Sequence, residues 1–200
     1  METKELTAPS GITAWMGWAP GTSPAERIRY LAKEALADRL DVDRDDINVD
    51  REAVSTFGHN TTLLPYIGSR ELPVVVRTAS GRIGSVVAVT EPDRPVGLDI
   101  RSRARDEALL HEIHARSHLW GDSLWETASD ESLLMHWSRV QAVRQADPRG
   151  VENRPEHVRL DPPFSRAWTQ DGRDAYRLFD LSSQGFIVTL ALGEPAVARV

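Results

Sequence analysis

Apolar and polar positions alternate in short stretches broken by three helical repeats. Residues 1–11 show neither period and are expected to fray. Residues 12–18 alternate apolar and small side chains, which predicts a strand closed by Ala19-Pro20-Gly21. Ser23-Pro24-Ala25-Glu26 then supplies a serine cap, a proline at the first helical position and a capping-box glutamate. Ile28, Leu31, Ala32, Ala35, Leu36 and Leu40 recur at helical spacing as far as the charged turn at 41–46. A short strand is predicted at 47–53 and a turn at 57–60. The β-branched runs 73–77 and 85–89 predict paired strands, followed by a strand at 96–100.

The plan then repeats. Residues 104–119 predict a helix with Leu109, Leu110, Ile113 and Trp120 on its packing stripe, and 120–127 a loop. Asp130 and Glu131 suit the positive end of a second helix, whose apolar face is Leu133, Leu134, Trp137 and Val140. Asp147-Pro148-Arg149-Gly150 stops it. Strands follow at 157–160, 166–169, 176–181 and 186–192, with Asp171-Gly172 at a hairpin turn. The expected fold class is α+β, in two similar helix-on-sheet halves, 12–100 and 101–200, without a linker between them.

Composition narrows the function classes. No apolar run reaches the roughly 18 residues of a membrane span, and the start of the chain has no apolar signal core. With no cysteine, disulfides, thiolate metal sites and cysteine nucleophiles are excluded. A net charge of −6 gives no basic footprint for nucleic acid. The expectation is a cytoplasmic, monomeric protein that engages neither membrane nor nucleic acid.

The stretch with most chemical content joins a strand, Arg94-Pro95-Val96-Gly97-Leu98-Asp99-Ile100-Arg101, to a helix, Leu133-Leu134-Met135-His136-Trp137-Ser138-Arg139-Val140-Gln141-Ala142. Together they resemble the G-[IV]-D-[IV]-E strand and W-[ST]-x-K-E-A helix of the surfactin-synthetase-activating type of 4'-phosphopantetheinyl transferase. The resemblance covers roughly residues 23 to 192. It implies two α+β halves about a pseudo-twofold axis, with coenzyme A in the cleft between them. Carboxylates hold magnesium on the pyrophosphate there, and a carrier-protein serine attacks the β-phosphate.

Asp99 falls on the family's first metal carboxylate, and Arg101 on the second. On a strand both side chains share one face, so a cation stands where an anion was required. Val140 and Gln141 replace the lysine–glutamate pair, and Gln145 a further lysine. Arg77-Thr78-Ala79-Ser80 lacks the histidine of the family's S-H-S loop, and Gly58-His59-Asn60 stands for its G-[KR]-P turn. Loss of charge stabilisation commonly costs about 10²–10³ per group, so the transfer reaction is expected to be gone. No cofactor is then expected; magnesium at Asp99 and coenzyme A enter only if transferase activity survives. Arg101 is expected to fill the vacated magnesium position as a built-in cation paired with Asp99.

What this implies is a fold turned to natural-product chemistry, a cyclisation or dehydration on a small or carrier-tethered polyketide- or peptide-type substrate. Asp99, Arg101, His136 and Gln141 are its candidate acid/base and positioning groups. One alternative is a non-catalytic partner of a carrier protein or coenzyme A; the other is a residual magnesium-dependent transferase. An acidic chain suits an acidic carrier only where its positive charge is concentrated.

Other constellations weigh less. Glu107, His111, His114 and His118 share a helical face that would suit zinc, but the zinc-protease spacing is broken and a solvated face is the plainer reading. Trp120 and Trp125 flank a loop and suit either a flat substrate or burial between the halves. Ser80-Gly81-Arg82-Ile83-Gly84 lacks the lysine and following helix of a phosphate loop and reads as a hairpin turn.

Overall fold

The computed structural model describes residues 1–51, 62–117, 128–149, 154–161, 163–169 and 174–194. In chain order the strands and helices are β1 (Glu2–Leu6), β2 (Thr13–Trp18), α1 (Pro24–Leu40), β3 (Ile47–Arg51), β4 (Thr62–Ile67), β5 (Arg70–Glu71), β6 (Val75–Ser80), β7 (Gly84–Thr90) and β8 (Val96–Ser102). They continue with α2 (Glu107–Ser117), α3 (Asp130–Ala146), β9 (Val158–Leu160), β10 (Arg166–Thr169), β11 (Ala175–Asp180) and β12 (Phe186–Gly193). The fold is α+β, with two antiparallel sheets in the orders β1-β2-β7-β6-β4-β3 and β8-β12-β11-β10-β9.

One topology is written twice. In the first sheet β2 is followed by α1, then β3, β4, β6 and β7, and β7 returns to pair with β2. In the second, β8 is followed by helices, then β9, β10, β11 and β12, and β12 returns to pair with β8. A single 3₁₀ turn precedes the second strand of each set, at Arg44–Asp46 and Pro155–His157. β1, β5 and α2 are the additions to this common plan.

The two sheets pack face to face and the helices lie outside. Ala14, Met16, Val86 and Ala88 of the first sheet meet Leu98, Ile100, Val188 and Leu190 of the second. The alternate residues Val87 and Val89 face outward, under Leu31, Ala35 and Leu36 of α1. Period-2 alternation with both faces apolar explains why β7 is buried along its whole length. On the far side, Val140 and Val143 of α3 cover Tyr176, Leu178 and Ala191.

The α1 capping box forms as its sequence predicts: the Glu26 amide donates to Ser23 Oγ at 3.2 Å, and the Ser23 amide to Glu26 Oε2 at 2.9 Å. Two expectations are corrected, and one strand is new. Residues 2–6 do not fray but form β1, whose ladder with β2 runs from Glu2↔Trp18 to Leu6↔Ala14. Only Leu6 of that strand is buried, so backbone pairing orders it and no alternation announces it. β4 has no counterpart in the sequence reading, and it carries Pro65, a residue that cannot donate to a ladder. Its pairing with β6 covers only Thr62 and Leu63, so the missing amide of Pro65 falls beyond that ladder. α2 starts at Glu107 rather than 104, because Asp106 Oδ1 accepts from the Leu109 amide at 3.1 Å and caps it there.

β8, divided between the halves by the sequence reading, lies whole in the second sheet through its seven-residue ladder with β12. The turns expected at 57–60 and 171–172, and the loop with Trp120 and Trp125, lie outside the described residues.

Candidate functional site

β8 carries the site through its alternation. Val96, Leu98 and Ile100 point into the core between the sheets. Gly97, Asp99 and Arg101 therefore take the opposite face, beneath α3. At Gly97 the helix comes so close that a Cβ would lie 2.1 Å from the Ala142 carbonyl oxygen and 2.4 Å from the Ala146 nitrogen. That approach brings Ser138 of α3 down to the sheet, where its hydroxyl bonds Thr189 Oγ1 at 2.9 Å. Thr189 is the register partner of Asp99.

Arg101 holds Asp99 by both oxygens. Its Nε donates to Oδ2 at 2.8 Å and its Nη2 to Oδ1 at 2.7 Å. This planar fork is the strongest carboxylate geometry available to a side chain. Burial pushes the Asp99 carboxyl above the ordinary carboxylate range, against the pull of the guanidinium and of Ser138. The side chain of Arg101 is 28 % exposed. Among the described residues its Nη1 makes no hydrogen bond, so the guanidinium keeps one donor edge.

A magnesium ion does not fit this donor set. It would meet a guanidinium bound to both oxygens of Asp99, with no second acid two residues on. Among the described residues no group of three or more histidine, aspartate and glutamate side chains is placed to hold a metal. His111 and His114 are exposed on α2, Glu112 sits 3.6 Å from Arg116, and His118 lies outside the described residues.

The other predicted side chains go elsewhere. His136 is buried two residues from Ser138, about 200° round the helix. It meets Phe164 edge-on at 6.0 Å, beside Arg139, which lies 5.3 Å from the same ring. Burial, with Arg139 adding to it, pushes its pKa down to about 3, so it is a neutral imidazole at neutral pH. Gln141 is half-buried, and its Oε1 accepts from Arg144 Nη1 at 2.8 Å. Gln145 is a structural tie: its Oε1 accepts from the Leu98 amide at 2.5 Å, and its Nε2 donates to the Thr78 carbonyl at 2.9 Å. β8 is an edge strand, so this side chain covers an edge amide and links α3 to both sheets. The structure thus brings together Asp99 and Arg101, adds Ser138 and Thr189, and sets His136 apart.

A pocket of about 170 Å³ opens just beyond this cluster, lined by Arg103, Arg105, Leu110, Asp130, Glu131, Leu134 and Ile187. Ile187 is the register partner of Arg101, and Arg103 follows two residues on. Ion pairs of Arg103 with Glu131 and of Arg105 with Glu107 border it.

Sequence reasoning missed Arg27, the largest of the fully buried side chains. It bonds Ser85 Oγ at 3.0 Å, the Thr22 carbonyl, and the Gly81 carbonyl at 2.9 Å, pinning the β6–β7 turn to α1. Its i, i+4 alignment with Leu31 and Ala35 on the buried stripe was the available signal. The 81–84 segment is the expected hairpin turn, closed by the Gly81 amide on the Gly84 carbonyl at 2.8 Å. No helix among the described residues is long and apolar enough to cross a membrane. Compared with known protein families and with curated proteins, the chain matches none.

Proposed function

We propose that the chain is a phosphopantetheinyl transferase-like protein whose metal-dependent transfer has been replaced, with Arg101 as the working cation of a new site. The observation that carries this is the fork of Arg101 on Asp99, which uses both carboxylate oxygens and, among the described residues, leaves Nη1 with no hydrogen bond. In this reading Asp99 is a positioning residue. It holds the guanidinium rigid and ionised while Nη1 offers a fixed donor to a carbonyl or oxyanion. An apolar floor of Leu110, Leu134 and Ile187, the last being the register partner of Arg101, suits a compact acyl or enolisable substrate, free or carrier-tethered. Cyclisation or dehydration builds up charge on such an oxygen, and Arg101 would stabilise it.

A non-catalytic binding role is the second reading, and one observation favours it. Asp99 is buried and doubly engaged and His136 is buried and neutral, so neither offers an accessible base near neutral pH. Titrating the isotope-labelled protein with acetoacetyl-pantetheine tests the shared core of both readings. The expected result is a shift of the Arg101 guanidinium and of the Leu134 and Ile187 methyls, lost in Arg101→Met. Coenzyme A binding that requires magnesium, with no response at Arg101, would sink both.

A further inference from the structure

The face of the second sheet that forms the core in β8 and β12 continues across β11, β10 and β9, where it carries exposed side chains. Leu190 and Leu192 of β12 are buried between the sheets. Their register partners on β11 are Phe179 and Arg177, and Arg177 in turn faces Arg166 of β10. The side chains of Arg166 and Arg177 are 63 % and 60 % exposed. Trp168, two residues along β10 on the same face, is 39 % exposed. The opposite-facing residues Ala167, Thr169, Tyr176 and Leu178 are all buried toward α3, so the sheet itself is firmly backed.

This arrangement has no return within the fold. Two arginines directly opposite on an antiparallel pair repel each other. Among the described residues only Glu194 pairs with them, 3.2 Å from Arg166 and 4.0 Å from Arg177, which leaves the pair with surplus positive charge on a chain of net charge −6. Arg177 also lies over the half-buried Phe179 ring at 5.7 Å, which holds its guanidinium on the open face. Exposed tryptophan flanked by arginine is the residue combination that dominates protein-binding energetics.

We infer that the open face of β10 and β11 docks an acidic protein segment, with Trp168 as its apolar anchor and Arg166 and Arg177 as its carboxylate clamps. This goes beyond the proposed chemistry at Arg101 and does not depend on it. A nucleic acid suits the face less well: among the described residues it offers one exposed aromatic, Trp168, where strand binding stacks successive bases on several.

The test uses the full chain, isotope-labelled and titrated with a synthetic peptide of alternating glutamate and leucine. A matched peptide with glutamine for glutamate and a single-stranded oligothymidine serve as comparisons. The glutamate peptide is expected to shift the β10 and β11 amides and the Trp168 indole. Its affinity should fall about tenfold in the Arg166→Gln, Arg177→Gln double variant and weaken with added salt. Both arginines are exposed, so the variant should keep the parent's unfolding midpoint. Unshifted amides, shifts elsewhere, equal affinity in the variant, equal binding of the glutamine peptide, or tighter binding of oligothymidine would each overturn the inference.

Discussion

Arg101 and Asp99 form a pair whose halves are unequal when separated. Arg101→Met leaves a carboxylate buried with its main partner gone, and breaking such a pair from one side typically costs about 3–5 kcal/mol. Removing both charges is far milder, because no buried ion is left behind. Urea unfolding should therefore show a large loss for Arg101→Met and recovery of most of it in Asp99→Leu, Arg101→Met. Equal losses in the single and double variants would mean the pair is not formed.

His136 makes a separate claim about pH. Its folded pKa, about 3, lies below the ordinary imidazole value of 6.5. Below about pH 6.5 the unfolded chain therefore takes up a proton that the folded chain refuses. The stabilisation from keeping His136 neutral is fully present above that pH and is lost as pH falls towards about 3. The loss runs at up to about 1.4 kcal/mol per pH unit. Comparing unfolding midpoints at pH 7 and pH 5 should show a shallower decline in His136→Phe than in the parent. An identical decline would place the acid sensitivity elsewhere.

At the scale of elements, α3 does most to organise the second half. It covers β8 at Gly97, reaches Thr189 through Ser138 and ties Leu98 to Thr78 through Gln145. The glycine demand is purely steric, since the atoms a Cβ would meet are backbone atoms of the helix and cannot rotate away. Gly97→Ala is thus expected to lift α3 from the sheet and lower stability by about 3 kcal/mol. A crystal structure of the variant should show the displacement near Ala142; unchanged stability would mean the helix is not held so close.

Much of this level was legible in the sequence. Ser23 and Glu26 announced the start of α1, and the β-branched runs announced β6 and β7, because their signals are local. β1 and β4 were not legible: one is ordered by a partner strand, the other carries a proline whose harmlessness depends on where a neighbour's ladder ends. At the site, the shared face of Asp99 and Arg101 follows from strand period alone. The positions of His136 and Gln145 do not, because they depend on how α3 is rotated over the sheet and on which strand lies at its edge.

For the whole molecule, the repeated strand order places two similar sheets back to back under their helices. In the first repeat the polar group between helix and sheet is Arg27 of α1, with Ser85 and three backbone carbonyls around it. Its counterpart in the second repeat is the Asp99, Arg101, Ser138 and Thr189 cluster. One is sealed and the other is partly open, with a pocket alongside. That asymmetry favours the second half as the place for a site.

The central claim is that Arg101 has displaced metal-dependent transfer. Its most direct test is the intact mass of an apo carrier protein incubated with this protein, coenzyme A and Mg²⁺, beside an authentic phosphopantetheinyl transferase. Full conversion by the authentic enzyme and no phosphopantetheine gain from this chain are expected. A gain that Asp99→Ala abolishes would contradict the claim and make Asp99 a working magnesium ligand despite Arg101.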